Sequence, residues 1–219
     1  MIPLRDVIPS RTTPYITVTI IVLNAATWCY ELALPSHVLP GFLQVYGVVP
    51  ADFEASTLLT SMFLHGSWLH VIGNMWYLWI FGDNVEDRVG HGGFIVFYLL
   101  CGFVAALGQT AMDPDSTLPM VGASGAIAGV MGAYFVLYPR SRVLTLIPLV
   151  IYWDIVEVPA AMLLGFWFLM QMFSAGAIAV TASAGGGGVA FMAHLAGFFA
   201  GMGGIFVFRR RQPPARYWA

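Results

Sequence analysis

A chain of 219 residues that is 59% hydrophobic and only 9% charged, with a mean hydropathy of +0.80, holds more apolar side chains than one soluble core can hide. A water-soluble globular protein is thereby excluded. The net charge of −2 offers no basic stripe for nucleic acid, and two cysteines are too few for a zinc site.

The first run long enough to cross a bilayer lies near 15 to 34. Arg5 and Arg11 precede it as they would in a signal peptide, but TVTIIVLNAATWCYELAL is long for a leader and carries Trp28 and Tyr30 near its far end, where interfacial anchors belong. It reads as an uncleaved first span. Cys29 here and Cys101 further on sit inside apolar runs and read as small packing residues. A long connection, 35 to 68, leads to a second span near 69 to 86, and further spans follow near 93 to 112, 121 to 138, 159 to 180 and 188 to 208. Between the fourth and fifth, VLTLIPLVIYW from 143 is too short to span and is broken by Pro148, so it is expected to lie along the interface. The run AGGGGV before the last span reads as a flexible hinge. The fold class expected is an all-α membrane protein with six transmembrane helices, residues 1–219 forming a single domain with short tails.

Every positive side chain is an arginine, at 5, 11, 88, 140, 142, 209, 210, 211 and 216, and six spans put all nine on one side. The loops of the other side carry Asp52, Glu54, Asp113 and Asp115. The positive-inside rule then sets both termini in the cytoplasm and the first loop outside, as in a bacterial inner-membrane protein.

Four polar residues fall inside spans at one depth. Ser124 lies one turn into the fourth span, roughly 5 Å below its outer end, and His194 about 9 Å down the sixth at 1.5 Å per residue. His70 and Asn74 occupy the first turns of the second span, four residues apart and so on one face. Taken singly, a membrane serine is most often a packing residue bonded to its own i−4 carbonyl, and an asparagine is interhelical glue. Three spans delivering polar groups to one level is what a common buried site requires. Gly122, Gly125, Gly129 and Gly132 on the fourth span, with Gly197 and Gly201 on the sixth, make small-xxx-small faces on which two helices can close. His37, His65 and His91 read as surface or interfacial residues, and Asp83, Glu86, Asp87 and Arg88 as a solvated turn.

A serine beside a neutral histidine is an activated nucleophile, the imidazole taking the hydroxyl proton as the oxygen attacks a carbonyl. No acid lies at that depth in the second, fourth or sixth span, so a dyad of Ser124 and His194 is expected. His70, Asn74 and the Ser124 backbone N–H would stabilise the oxyanion. A zinc protease would need H-E-x-x-H, an aspartyl protease two facing intramembrane carboxylates, and a transporter paired broken helices; the chain has none of these patterns, and no cofactor or metal is expected.

HGSWLHVIGNMWYLWIFGDNVE, VGASGAIAGVMGAY and AHLAGFFAG together resemble the rhomboid intramembrane serine proteases. The resemblance implies a six-helix core, Ser124 as nucleophile, His194 as general base, and His70 and Asn74 as oxyanion donors. It implies transmembrane protein substrates in the lipid bilayer, cut near the outer face, a first loop lying partly in the outer leaflet, and a gate formed by the fifth span with residues 181 to 188. A catalytically inactive relative that binds transmembrane helices is the alternative. Two departures stand out. Ala128 occupies the place where some members stack an aromatic ring on the imidazole, and Ser56 and Thr57 occupy the place of a Trp-Arg pair.

Overall fold

Ten consecutive residues, Gly125 to Tyr134, are buried in a helix of 14 residues, Ser124–Leu137, and the other elements are arranged round it. A helix apolar on every side belongs in the middle of a bundle. The computed structural model describes residues 1–148, 153–181 and 190–210. In chain order these form β1 (Ile2–Asp6), α1 (Tyr15–Ala33), α2 (Leu39–Tyr46), α3 (Thr57–Thr60), α4 (Trp68–Val89), α5 (His91–Met112), α6 (Ser124–Leu137), β2 (Arg142–Pro148), β3 (Trp153–Pro159), α7 (Ala160–Thr181) and α8 (Phe191–Phe208). Short 3-10 turns at Pro50–Asp52 and Ser61–Phe63 flank α3. The glycine-rich run expected to act as a hinge and gate lies outside the described residues.

Helices α1, α5 and α8 are long and apolar enough to cross a membrane, and α6 and Ala160–Phe173 of α7 form shorter apolar helices. Helix α4 has 22 residues but carries Asp83, Glu86, Asp87 and Arg88 in its last turns. Large apolar side chains such as Val22, Ile72, Trp79, Leu100, Phe173 and Phe206 stand exposed round the bundle, the surface a lipid environment covers. The protein is a mostly helical integral membrane protein.

The closest helix pair is α6 against α8. A Cβ on Gly197 would run into the carbonyl oxygen of Gly125, and one on Gly201 into that of Gly129. The glycine faces therefore pack backbone on backbone, as their spacing predicts.

The arginine-rich end differs from the sequence expectation in two respects. Residues 143–148 do not lie as a lone interfacial segment. They form β2, antiparallel to β3 and to β1, in the order β1-β2-β3, with Ile2 opposite Leu146 and Arg142 opposite Pro159. Val143, Thr145, Ile147, Val156 and Val158 suit a pleated surface, and Val143 and Thr145 turn inward at the period of two. A sheet satisfies backbone groups that a single apolar strand would leave bare near lipid. The pairing residue 2–6 with 143–146 is a contact no local pattern announces.

The second difference is the acidic cluster at the end of α4, which is not a solvated turn. Glu86 is fully buried and accepts from Ile16 N (3.0 Å), Thr17 N (2.8 Å) and Thr17 Oγ1 (2.7 Å), while His91 Nδ1 lies 2.5 Å away. It caps α1, across the bundle, rather than the helix that follows it. Asp87 accepts from Arg11 N at 2.5 Å and from Thr12 N at 3.0 Å, and Asp83 accepts from the Ser10 hydroxyl. Asp6 joins β1 to the helices: it accepts from Tyr134 Oη at 2.7 Å and from Asn84 Nδ2 at 2.9 Å. Burial, reinforced by nearby Asp83 and opposed by the Tyr134 hydrogen bond, pushes the Asp6 carboxyl up to about 6.

At the opposite end the first connection is built rather than open. Val48 and Met120 exchange backbone bonds of 3.0 and 2.8 Å, and Gly122 N donates to Ser61 O at 2.8 Å. These bonds hold residues 120 to 122 extended, so α6 starts at Ser124 and not at 121. Ser124 is the first helical residue instead of lying one turn in. At 1.5 Å per residue a 14-residue helix is about 21 Å long, short of a hydrocarbon core of about 30 Å.

Removing the Glu86 carboxyl strands three donors at the start of α1, the two of Thr17 buried and that of Ile16 half-buried. Glu86→Ala is expected to cost about 3 kcal/mol, measured as a lower midpoint of unfolding in mild detergent. An unchanged midpoint would contradict the cap.

Candidate active site

The extended residues before α6 and the turn at its start decide where Ser124 points. Gly122 has φ +123°, a conformation that favours glycine, and a Cβ there would sit 2.6 Å from His70 Nε2. The His70 ring thus lies directly over the Gly122 backbone. Helix α4 is started by Ser67, whose Oγ accepts from His70 N at 3.2 Å, and this cap sets the first turn so that His70 and Asn74 face the same cavity.

Across that cavity, Ser124 Oγ lies 2.7 Å from His194 Nε2. His194, 8% exposed, stands in the first turn of α8, three residues before the Gly197 contact with α6. All four residues singled out from the sequence line one cavity of about 800 Å³, which also takes in Tyr77, Gln109, Met131 and Trp167. The first N–H groups of α6, beginning at Ser124, have no intrahelical partner and carry the positive end of the helix dipole. A serine hydroxyl, an imidazole nitrogen able to accept its proton, and several N–H donors therefore converge where a carbonyl could bind.

Four further residues belong to the site. His194 Nδ1 lies 2.8 Å from Gln171 Oε1, and the Trp167 ring packs on the imidazole with centroids 5.9 Å apart and planes at 38°, so an aromatic partner comes from α7 where Ala128 supplies none. His65 is buried to 1% exposure, which corrects its reading as a surface residue. Its Nε2 accepts from Asn74 Nδ2 at 2.9 Å, and its ring meets His70 edge-on at 5.0 Å. Glu31, also buried, accepts from His65 N at 3.2 Å. Asn74 keeps its second amide hydrogen for the cavity. Gln171 was detectable in principle, as the lone amide within WFLMQMF, by the rule that polar residues in spans have a task. His37 is exposed, and His91 is engaged with Glu86 at the far end of the bundle.

Residues 52–211 match the family model described as the Rhomboid domain. The chain belongs to the rhomboid family. Among curated rhomboid relatives it is 28% identical over 197 residues to the chloroplastic Rhomboid-like protein 11 of Arabidopsis thaliana, covering 82% of this chain and 63% of that one. It is 30% identical to the mitochondrial Rhomboid protein 1 of Saccharomyces cerevisiae, over 47% of this chain and 32% of that one. It is 37% identical to Rhomboid protease GluP of Bacillus subtilis, over 38% of this chain and 16% of that one. The chain thus spans less than two thirds of the length of each of these rhomboid relatives.

Burial, with His70 beside it, lowers the His65 imidazole to about 4, against an ordinary 6.5. The unfolded chain then binds the proton more readily between pH 6.5 and 4, so this residue's contribution is full above 6.5 and lost as pH falls toward 4. Unfolding midpoints measured across that window should fall more steeply for wild type than for His65→Gln. Gly122→Ala should cost on the order of 1–3 kcal/mol of backbone strain and crowd His70, lowering the detergent midpoint by several degrees. Gly73→Ala, with nothing within 4 Å, should leave the midpoint where it is.

Proposed function

We propose that this chain is an intramembrane serine endopeptidase that hydrolyses peptide bonds in or near transmembrane segments of other proteins. The observation that carries the reading is the 2.7 Å approach of Ser124 Oγ to His194 Nε2 inside a recessed cavity. The Ser124 oxygen attacks the scissile carbonyl carbon while His194 Nε2 takes its proton. The negative charge that develops on the carbonyl oxygen is met by His70, Asn74 Nδ2 and the Ser124 N–H. His194 then gives the proton to the leaving amine, and water, activated by the same imidazole, releases the acyl group from Ser124.

Six membrane spans are proposed, formed by α1, α4, α5, α6, α7 and α8, with both chain ends in the cytoplasm of a bacterial cell and the cavity opening outward. The arginines support this orientation: the seven described ones cluster at the end of the bundle away from Ser124. Hydrolysis needs water at a depth that lipid keeps dry, and a cavity lined by Ser116, Asp113 and Gln109 near its mouth meets that need. An intact helix hides its carbonyls in i to i−4 bonds, so substrates that unwind readily, with glycine or proline near the cut, fit this site best.

The test is cleavage of a reporter span in liposomes, together with labelling by a fluorophosphonate. Wild type is expected to cut and to be labelled, and Ser124→Ala to do neither, a loss of at least 10³-fold. Binding of the reporter without cleavage or labelling by wild type would favour a rhomboid-like helix-binding protein instead.

A further inference from the structure

Helix α7 presents two side chains to His194 from one face. Trp167 and Gln171 are four residues apart, so they stand one above the other, the indole against the imidazole and the amide oxygen 2.8 Å from Nδ1. For Nε2 to take a proton from Ser124 it must be bare, which leaves the one hydrogen of the neutral ring on Nδ1. That hydrogen needs an acceptor, and the Gln171 carbonyl is where it points.

We propose that Gln171 is a positioning residue for the protease reading given above, on which this inference rests: its amide oxygen holds His194 as the Nδ1–H tautomer with Nε2 aimed at Ser124. The part played by a carboxylate in a soluble serine protease is here taken by a neutral group. An amide accepts the hydrogen without adding an unpaired charge to a buried site, where desolvation penalises the ionised form. When His194 becomes imidazolium, the proton from Ser124 Oγ resides on Nε2 and the Nδ1–H bond to Gln171 persists; the Nε2 proton then passes to the leaving amine and the ring returns to its starting tautomer. Because Trp167 and Gln171 share one helix, a shift of α7 away from α8 would withdraw both supports together.

Three observations on the protein in detergent test this. The first is the 15N spectrum of histidine-labelled protein, with the His194 signal identified by its loss in His194→Asn. Wild type should show Nδ1 protonated, and Gln171→Leu should shift the ring toward the Nε2–H form. The second is the kinetic split on a reporter span: Gln171→Leu should lower kcat about 10- to 100-fold with KM within twofold. The third is rescue: Gln171→Glu restores an acceptor, so it should recover most of kcat and move the acidic limb of the pH profile to higher pH. Among the described residues, His70 and Tyr77 of α4 and Asp113 at the end of α5 are titratable groups lining the same cavity as this imidazole, while α6 presents the neutral Ser124. These three are unchanged in all the variants, so a moved limb reports on position 171.

If Gln171→Leu lowers only the unfolding midpoint, with the His194 tautomer and kcat as in wild type, Gln171 merely ties α7 to α8 and the proposal is overturned. If wild type neither cuts nor labels, the protease reading fails, and the nitrogen spectrum still decides the role of Gln171.

Discussion

Because a Cβ at Gly197 or Gly201 would collide with the carbonyl oxygens of Gly125 and Gly129, helix α8 can lie on α6 only while those positions stay bare, and the site is a by-product of that contact. Ser124 is the residue before Gly125, and His194 is one turn before Gly197. Two backbones held this closely leave their neighbouring side chains little choice but to meet. The same contact explains why α6 is buried along ten residues: with α8 pressed against one side and α4 and α5 on others, no face remains for lipid. Geometry of this kind is set by dispersion and by hydrogen-bond satisfaction, because apolar side chains gain little by leaving one hydrocarbon for another.

The groups round the cavity are matched in a second way. Serine, glutamine, asparagine and two of the histidines are joined in short chains, His194 between Ser124 and Gln171, and Asn74 to His65, whose backbone in turn meets Glu31. A polar group stranded in the bilayer costs several kcal/mol, and linking each to another lowers that cost. The arrangement reserves the donors that a bound carbonyl would need while giving the remaining polar atoms fixed partners.

How much of this could be read from the chain follows from how local each signal is. The glycine spacing on α6 and α8 and the common depth of Ser124, His194, His70 and Asn74 depend on helical period alone, and those residues do meet in one cavity. The start of α6 is not legible locally because its cause, the bonding of Met120 to Val48 and of Gly122 to Ser61, spans more than 60 residues. The strand at 142–148 reads locally as a segment along the interface because its partner β1 lies about 140 residues earlier, and apolar runs of that length fit either reading. Glu86 looked solvated because charge density at a helix end is a good sign of exposure unless a distant helix start needs a cap. Gln171 and Trp167 went unnoticed in an apolar run, since what defines them is the ring they face rather than anything beside them in sequence.

The clasp at the arginine-rich end bears on how the molecule comes together. The unsatisfied amides at the head of α1 are met by Glu86, some 70 residues later, and β1 finds its strand partner only after residues 142–146 exist. Residues 2–17 thus wait for their native neighbours until the chain up to residue 146 has been made. During synthesis the head of α1 must be kept satisfied by water or lipid head groups until α4 is in place, and the clasp closes once β2 has followed.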